Sequence, residues 1–147
     1  MQVREIMSAD PVCITPDTPV EEAARLMKEK DVGLLPVVES KDSTRLAGVI
    51  TDRDIAIRHV AGGSKPKRAV KDVMTANLTT CRMDEEVSEV MDLMGREQIR
   101  RIPIVDERGS LVGVVAQADI VLQTRDSNAT QKTVSQISQP SRKKSRS

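Results

Sequence analysis

The 147-residue chain contains no phenylalanine, tyrosine or tryptophan. Stacking platforms for single-stranded nucleic acid are made of aromatic rings, so RNA-recognition and OB-type surfaces are not expected. Any core must be assembled from Val, Ile, Leu, Met and Ala. His59 is the single histidine, which argues against a histidine metal cluster or a Ser-His triad. Cys13 and Cys81 are the only cysteines, with no CxxC spacing and no further ligands around them. They read as free thiols rather than a zinc site, in a number that suits a reduced compartment. No apolar run approaches the ~18 residues of a membrane span. The opening Met-Gln-Val-Arg-Glu-Ile has no charged-then-apolar signal pattern. A cytoplasmic protein without a membrane partner is the expectation.

A charge excess of one sign is also missing, the formal net charge being +1. That balance gives no global electrostatic case for specific nucleic-acid binding. It conceals an asymmetry: residues 1–123 carry 17 basic and 21 acidic side chains, a net of −4. Residues 124–147 carry 6 basic and 1 acidic, a net of +5. The basic clusters Lys65-Pro66-Lys67-Arg68 and Arg142-Lys143-Lys144 read as solvated segments.

The dominant feature is an internal repeat. Residues 3–39 align without a gap on 70–106, so that Val3, Met7, Asp17, Val20, Glu22, Met27 and Pro36 recur as Val70, Met74, Asp84, Val87, Glu89, Met94 and Pro103. After a two-residue deletion, 46–58 aligns on 111–123. A unit of that size is hard to stabilise alone, and two copies packed together would solve the problem. In the first copy Val20, Ala23, Ala24 and Met27 have the spacing of an amphipathic helix, matched by Val87, Val90, Met91 and Met94 in the second. Thr18 and Glu21 predict a capping box around Pro19, and Asp84 lies near the second cap. The apolar runs Leu34–Val38 and Ile102–Val105 predict strands, each followed by a polar turn and a second strand, Leu46–Ile50 or Leu111–Val115. A helix starts near Thr51 or Ala116, and the first of these stops at Gly62-Gly63. Short first strands fall near Cys13-Ile14 and Thr80-Cys81. The predicted organisation is a first β-α-β-β-α unit over 1–62, a linker over 63–69, a second unit over 70–125 and a disordered basic tail over 126–147.

Each copy opens with a Val-x-x-hydrophobic-Met element and carries Pro-hydrophobic-Val before a junction motif. In the first copy that motif is Gly48-Val49-Ile50-Thr51-Asp52-Arg53-Asp54, of the form Gly-hydrophobic-x-Thr-x-x-Asp. On these residues, over about 1–123, the chain resembles the cystathionine-β-synthase (CBS) domain pair, or Bateman module. The stretch Thr-Asp-Arg-Asp-Ile is similar to stand-alone CBS-pair proteins. The resemblance implies an α+β fold of two tandem CBS units with pseudo-two-fold symmetry. It also implies a cleft for adenosine-containing ligands, a homodimer, and action through a separate effector protein.

The residues themselves suit such a site. Thr51 would cap a helix whose N–H groups favour an anion, and Asp54 lies on the same face, where its carboxylate could accept from a ribose cis-diol. The same spacing also fits a plain helix cap with an acid in the first turn. The second copy reads Gly113-Val114-Val115-Ala116-Gln117-Ala118-Asp119, so the hydroxyl is lost and Asp119 marks a second, depleted site. By resemblance to the γ subunit of AMP-activated protein kinase, Arg100 and Arg101, just before Pro103, would hold phosphate at the site of Asp54. One of the two enters the cleft fully, because adjacent strand residues face opposite ways. The resemblance assigns Val49, Thr79 and Ile99 to the slot for the base, although each also suits plain core. Arg53, Arg58 and His59 follow the motif and read better as a solvated helix face than as polyphosphate ligands. The two cysteines read as strand residues near the cleft.

A non-catalytic sensor of AMP, ADP or ATP is the leading reading, with no metal and no resident cofactor. An enzyme is disfavoured, since no nucleophile–base pair, paired pocket carboxylates or metal set is visible. The alternative is a ligand-free interaction module acting through its dimer or its basic tail.

Overall fold

The computed structural model describes residues 1–132, with side chains given for 1–123 and Arg125. The strands and helices in chain order are β1 (Ser8–Ala9), α1 (Val20–Lys30), β2 (Leu34–Val38), β3 (Leu46–Thr51), α2 (Asp52–Asp54), β4 (Cys81–Arg82), α3 (Val87–Glu97), β5 (Arg101–Val105), β6 (Leu111–Ala116) and α4 (Gln117–Lys132). α2 continues directly as a π-helix over Ile55–Val60. Short 3-10 turns open each repeat, at Val3–Glu5 and Val70–Asp72.

The amphipathic spacing explains α1 and α3. Val20, Ala23 and Met27 are buried in one, Val90 and Met94 in the other. Both helices end on a residue in the left-handed region, Asp31 at φ 56° and Gln98 at φ 59°, which turns the chain into the following strand. The fully apolar β2 is buried along its whole length and pairs antiparallel with β3. β5 pairs with β6 in the matching register, Pro103 opposite Val114 as Pro36 is opposite Val49. β4 joins β5 in parallel, and the corresponding contact in the first repeat is a single parallel bridge, Ile14 to Val37.

The opening segments are exchanged between the units. Ser8 and Ala9 of β1 pair with Val114 and Gly113 of the second unit. Conversely, Val49 and Thr75 exchange both backbone hydrogen bonds, tying the second repeat's opening segment to the first unit. The cores follow suit. Val3 and Ile6 are buried with Cys81, Val90, Met94, Ile102, Ile104, Val115 and Ile120. Val70 and Val73 are buried with Ile14, Val20, Leu35, Val37 and Ile50. Each half therefore lacks part of its core without the other, as expected for units near the lower limit of independent stability.

Pairs of equivalent hydrogen bonds carry the pseudo-two-fold symmetry. The Val20 N–H donates to the Arg68 carbonyl, as the Val87 N–H donates to that of Met1, both at 2.9 Å. Across the centre, Leu46 N–H donates to the Gly109 carbonyl and Leu111 N–H to that of Thr44.

The expected capping box at α1 does not form. Pro19 is the N-cap residue, and the Thr18 hydroxyl turns back to accept from the Thr15 N–H at 3.2 Å. The Arg68 carbonyl from the linker serves the first turn instead, and Glu21 faces His59. At the other end of the chain, α4 runs on to Lys132 and so takes in the first seven residues of the expected tail, a stretch with neither Gly nor Pro to stop it. The remainder of the expected tail lies outside the described residues. No helix among the described residues is long and apolar enough to cross a membrane.

Candidate functional site

The strand-to-helix junction of the first unit gathers three of the expected residues. β3 ends at Thr51, which becomes the N-cap of α2. The Thr51 hydroxyl accepts from the Asp54 N–H at 3.0 Å, and Asp54 Oδ2 accepts from the Thr51 N–H at 3.0 Å. Asp54 is only 9% exposed. Thr75, from the exchanged opening segment, aims its hydroxyl at both carboxylate oxygens, 3.3 Å from Oδ1 and 3.4 Å from Oδ2. Val49 is buried beneath, with both its backbone groups bonded to Thr75. The reciprocal helix cap is therefore present in full, and Asp54 joins the two repeats as well.

Arg101 comes to this junction from the second unit. A Cβ placed on Gly33 would lie 2.8 Å from Arg101 Nη2 and 2.9 Å from Asp52 Oδ2, so guanidinium and carboxylate flank that glycine. Only a residue without a side chain leaves the space. Asp52 directly follows Thr51, and its N–H donates to the Gly33 carbonyl at 3.0 Å. Arg101 is half-buried and Arg100 exposed, so one of the pair turns inward as the strand alternation requires.

The other expected residues make no hydrogen bond to this junction among the described residues. Ile99 packs against the second core cluster. Thr79 is half-buried in the irregular stretch before β4 and makes no side-chain hydrogen bond among the described residues. Asp119 is exposed, and its side chain is likewise without such a bond. It lines an open cavity of about 330 Å³ together with Ile6, Ser8, Leu122 and Gln123. Ser8 is the repeat equivalent of Thr75, so this cavity is the second repeat's counterpart of the space around Asp54.

One reading of the segment after the motif needs correction. His59 is buried, at 5% exposure, with Nε2 3.3 Å from Glu21 Oε2 and Nδ1 unpartnered. Arg58 is exposed, as expected, and its Nη1 donates to the Val73 and Met74 carbonyls of the second repeat's opening segment, both at 3.1 Å. Its Nε is 3.9 Å from Asp54 Oδ1. His59 turns inward because of the wider winding of the π-helix, seen in the bond from the Ala61 N–H to the Ala56 carbonyl, which alters the faces that an ordinary helical period assigns. Arg53, the third of that group, is exposed. Thr75 was missed for a different reason: its partner stands 21 positions earlier, and only its alignment with Ser8 hinted at a shared role.

The cysteines differ. Cys13 is exposed and Cys81 buried on β4, where burial and then the Glu85 carboxylate push its thiol pKa up to about 12. Among the described residues no group of three or more His, Cys, Asp or Glu is arranged to hold a metal ion.

Two α+β repeats that exchange opening segments and present one motif at each strand-to-helix junction define a tandem module with a pseudo-two-fold pair of inter-repeat junctions. The chain belongs to the CBS domain family, whose sequence profile matches it twice, over residues 3–59 and 70–124. It is similar to the CBS domain-containing protein YhcV of Bacillus subtilis, with 35% identity over 136 residues, 92% of this chain and 94% of that protein. Among solved structures it resembles the CBS domain pair of protein MJ0100 in complex with 5′-methylthioadenosine and S-adenosyl-L-methionine. The TM-score is 0.77 and the identity 28%, covering 86% of this chain and 98% of that one. It also resembles CBSX2 of Arabidopsis thaliana, solved in complex with AMP, with a TM-score of 0.74 and 25% identity over 87% of this chain and 98% of that one.

Proposed function

We propose that the chain is a non-catalytic regulatory module that binds AMP, ADP or ATP between its two CBS units and passes its occupancy to an effector protein. The observation that carries this reading is Arg101, which crosses from the second unit to Gly33 beside the Thr51–Asp54 motif of the first. In this reading Asp54 accepts from the ribose cis-diol, with Thr51 beside it. Arg101, flanked by Arg100, meets the phosphate, where a guanidinium fork can bond two oxygens. Val49, Thr79 and Ile99 line the slot for the base. The adenosine ligands of the MJ0100 pair and CBSX2 support the ligand class, and the arginine favours a phosphate-bearing member of it over S-adenosylmethionine.

The open cavity at Asp119 favours a second, phosphate-poor cleft that fills independently. A homodimer is supported by the exposed Ile57 and Val60 on the π-helix and Val121 and Leu122 on α4, since Ile57 and Leu122 are repeat equivalents. Isothermal titration of the full chain with AMP, ATP and S-adenosylmethionine tests the function. Saturable binding tightest for a nucleotide is expected, and absence of binding by all three at millimolar concentration would leave the interaction-module alternative.

A further inference from the structure

We propose that Arg58 is a latch that ties the first unit's motif helix to residues 73–75 and is loosened when a ligand binds, while the second repeat has no such latch. The inference rests on the reading of Asp54 as a ribose acceptor. A carboxylate offers about four acceptor positions. At Asp54, Oδ2 takes the Thr51 N–H, and both oxygens share the Thr75 hydroxyl. Oδ1 also faces Arg58 Nε at 3.9 Å, while Nη1 of the same guanidinium is fixed on the carbonyls of Val73 and Met74. A diol taken on that carboxylate competes with the long Thr75 bonds and with the electrostatic pull of Arg58 on Oδ1. Residues 73–75 are the exchanged segment that the second repeat lends to the first unit, so release of Arg58 frees a tie between the two halves. The chain carries its own control. At the position of Arg58 the second repeat has Gln123, which reaches no carbonyl of the opening segment among the described residues, and there the cavity beside Asp119 and Ser8 stands open. Arg58 thus adds to the differences already present at Thr51 and Ala116 and at Thr75 and Ser8, and ligand at Asp54 is read out as loosening of residues 73–75.

The test is Arg58→Gln, which copies the second repeat, with Arg58→Lys keeping the charge but not the fork. Titration calorimetry with adenosine and with AMP should give affinities about three- to tenfold tighter for Arg58→Gln, equally for both ligands, and a smaller gain for Arg58→Lys. Unchanged affinities would overturn the latch. So would weaker AMP binding with adenosine unaffected, which would make Arg58 a phosphate ligand. Hydrogen exchange provides a ligand-free readout: amides of Met74 and Thr75 should exchange faster in Arg58→Gln than in wild type, and wild type should approach that rate when AMP is added. Equal exchange in the two ligand-free proteins would overturn the latch whatever binds. Fast exchange in Arg58→Gln with no binding of either ligand to either protein would uphold the tie but refute the adenosine reading and ligand release with it.

Discussion

Replacing Asp54 with alanine separates the two motifs without any ligand. The substitution removes the acceptor for the Thr51 N–H, the acceptor for the Thr75 hydroxyl and the nearby countercharge of Arg58. A reciprocal cap contributes about 1 kcal/mol and a hydrogen bond to a charged group about 1.5–3 kcal/mol where it is buried. The Thr75 contacts are long, at 3.3 and 3.4 Å, and the Arg58 ion pair is half-exposed, so both are discounted. We expect Asp54→Ala to lower stability by about 2–3 kcal/mol, or roughly 6–12 °C in Tm for a chain of this size. Asp119→Ala removes an exposed first-turn acid, which stabilises by ~0.5 kcal/mol at most. Asp54→Asn keeps an oxygen for the Thr51 N–H and should fall between them, near 1 kcal/mol. Urea denaturation with a shared m-value, checked by thermal melting, measures all three. Equal losses for Asp54→Ala and Asp119→Ala would refute the assignment of Asp54 as an inter-repeat tie.

Two further outcomes follow from packing and burial. Gly48→Ala would put a Cβ 2.7 Å from the Thr75 carbonyl oxygen and 3.1 Å from Met74 Sδ, so chemical denaturation should show a loss of about 1–3 kcal/mol; a neutral result would mean the exchanged segment shifts freely. Native protein should expose one thiol to Ellman's reagent, that of Cys13, and a second only on unfolding. Because the Cys81 thiol is raised from 9.0 to about 12 in the folded state, its contribution to stability is full below about pH 9 and is lost as pH rises from 9 toward 12. A Cys81→Ser variant showing the same alkaline decline as wild type would place the cause elsewhere.

Much of the fold was legible because it depends on local periodicity. The spacing of Val20, Ala23 and Met27 marks α1, the unbroken apolar run Leu34–Val38 marks a strand buried on both faces, and the repeat carries both readings into the second half. What was not legible depends on contacts between the halves. Thr18 and Glu21 have the spacing of a capping box, but the linker carbonyl of Arg68 reaches α1 first, so both side chains turn to other partners. The exchange of opening segments leaves no local trace, since Val3 and Met7 look the same whichever core receives them. His59 was misplaced because a π-helix winds more widely than the period used to assign faces. At the site, the pairing of Thr51 with Asp54 follows from spacing alone. The third partner, Thr75, and the approach of Arg101 to Gly33 required the two units to be seen together.

The central claim is that Arg101 supplies the phosphate contact of an adenine-nucleotide site built on the Asp54 motif. Its most direct test is calorimetric titration of wild type and Arg101→Ala, each with AMP and with adenosine. The account expects AMP affinity to fall roughly 10- to 100-fold in the variant, the loss of one or two charge-assisted hydrogen bonds, with adenosine affinity changed less than about twofold. Equal losses for AMP and adenosine, or an AMP affinity untouched by the substitution, would contradict it.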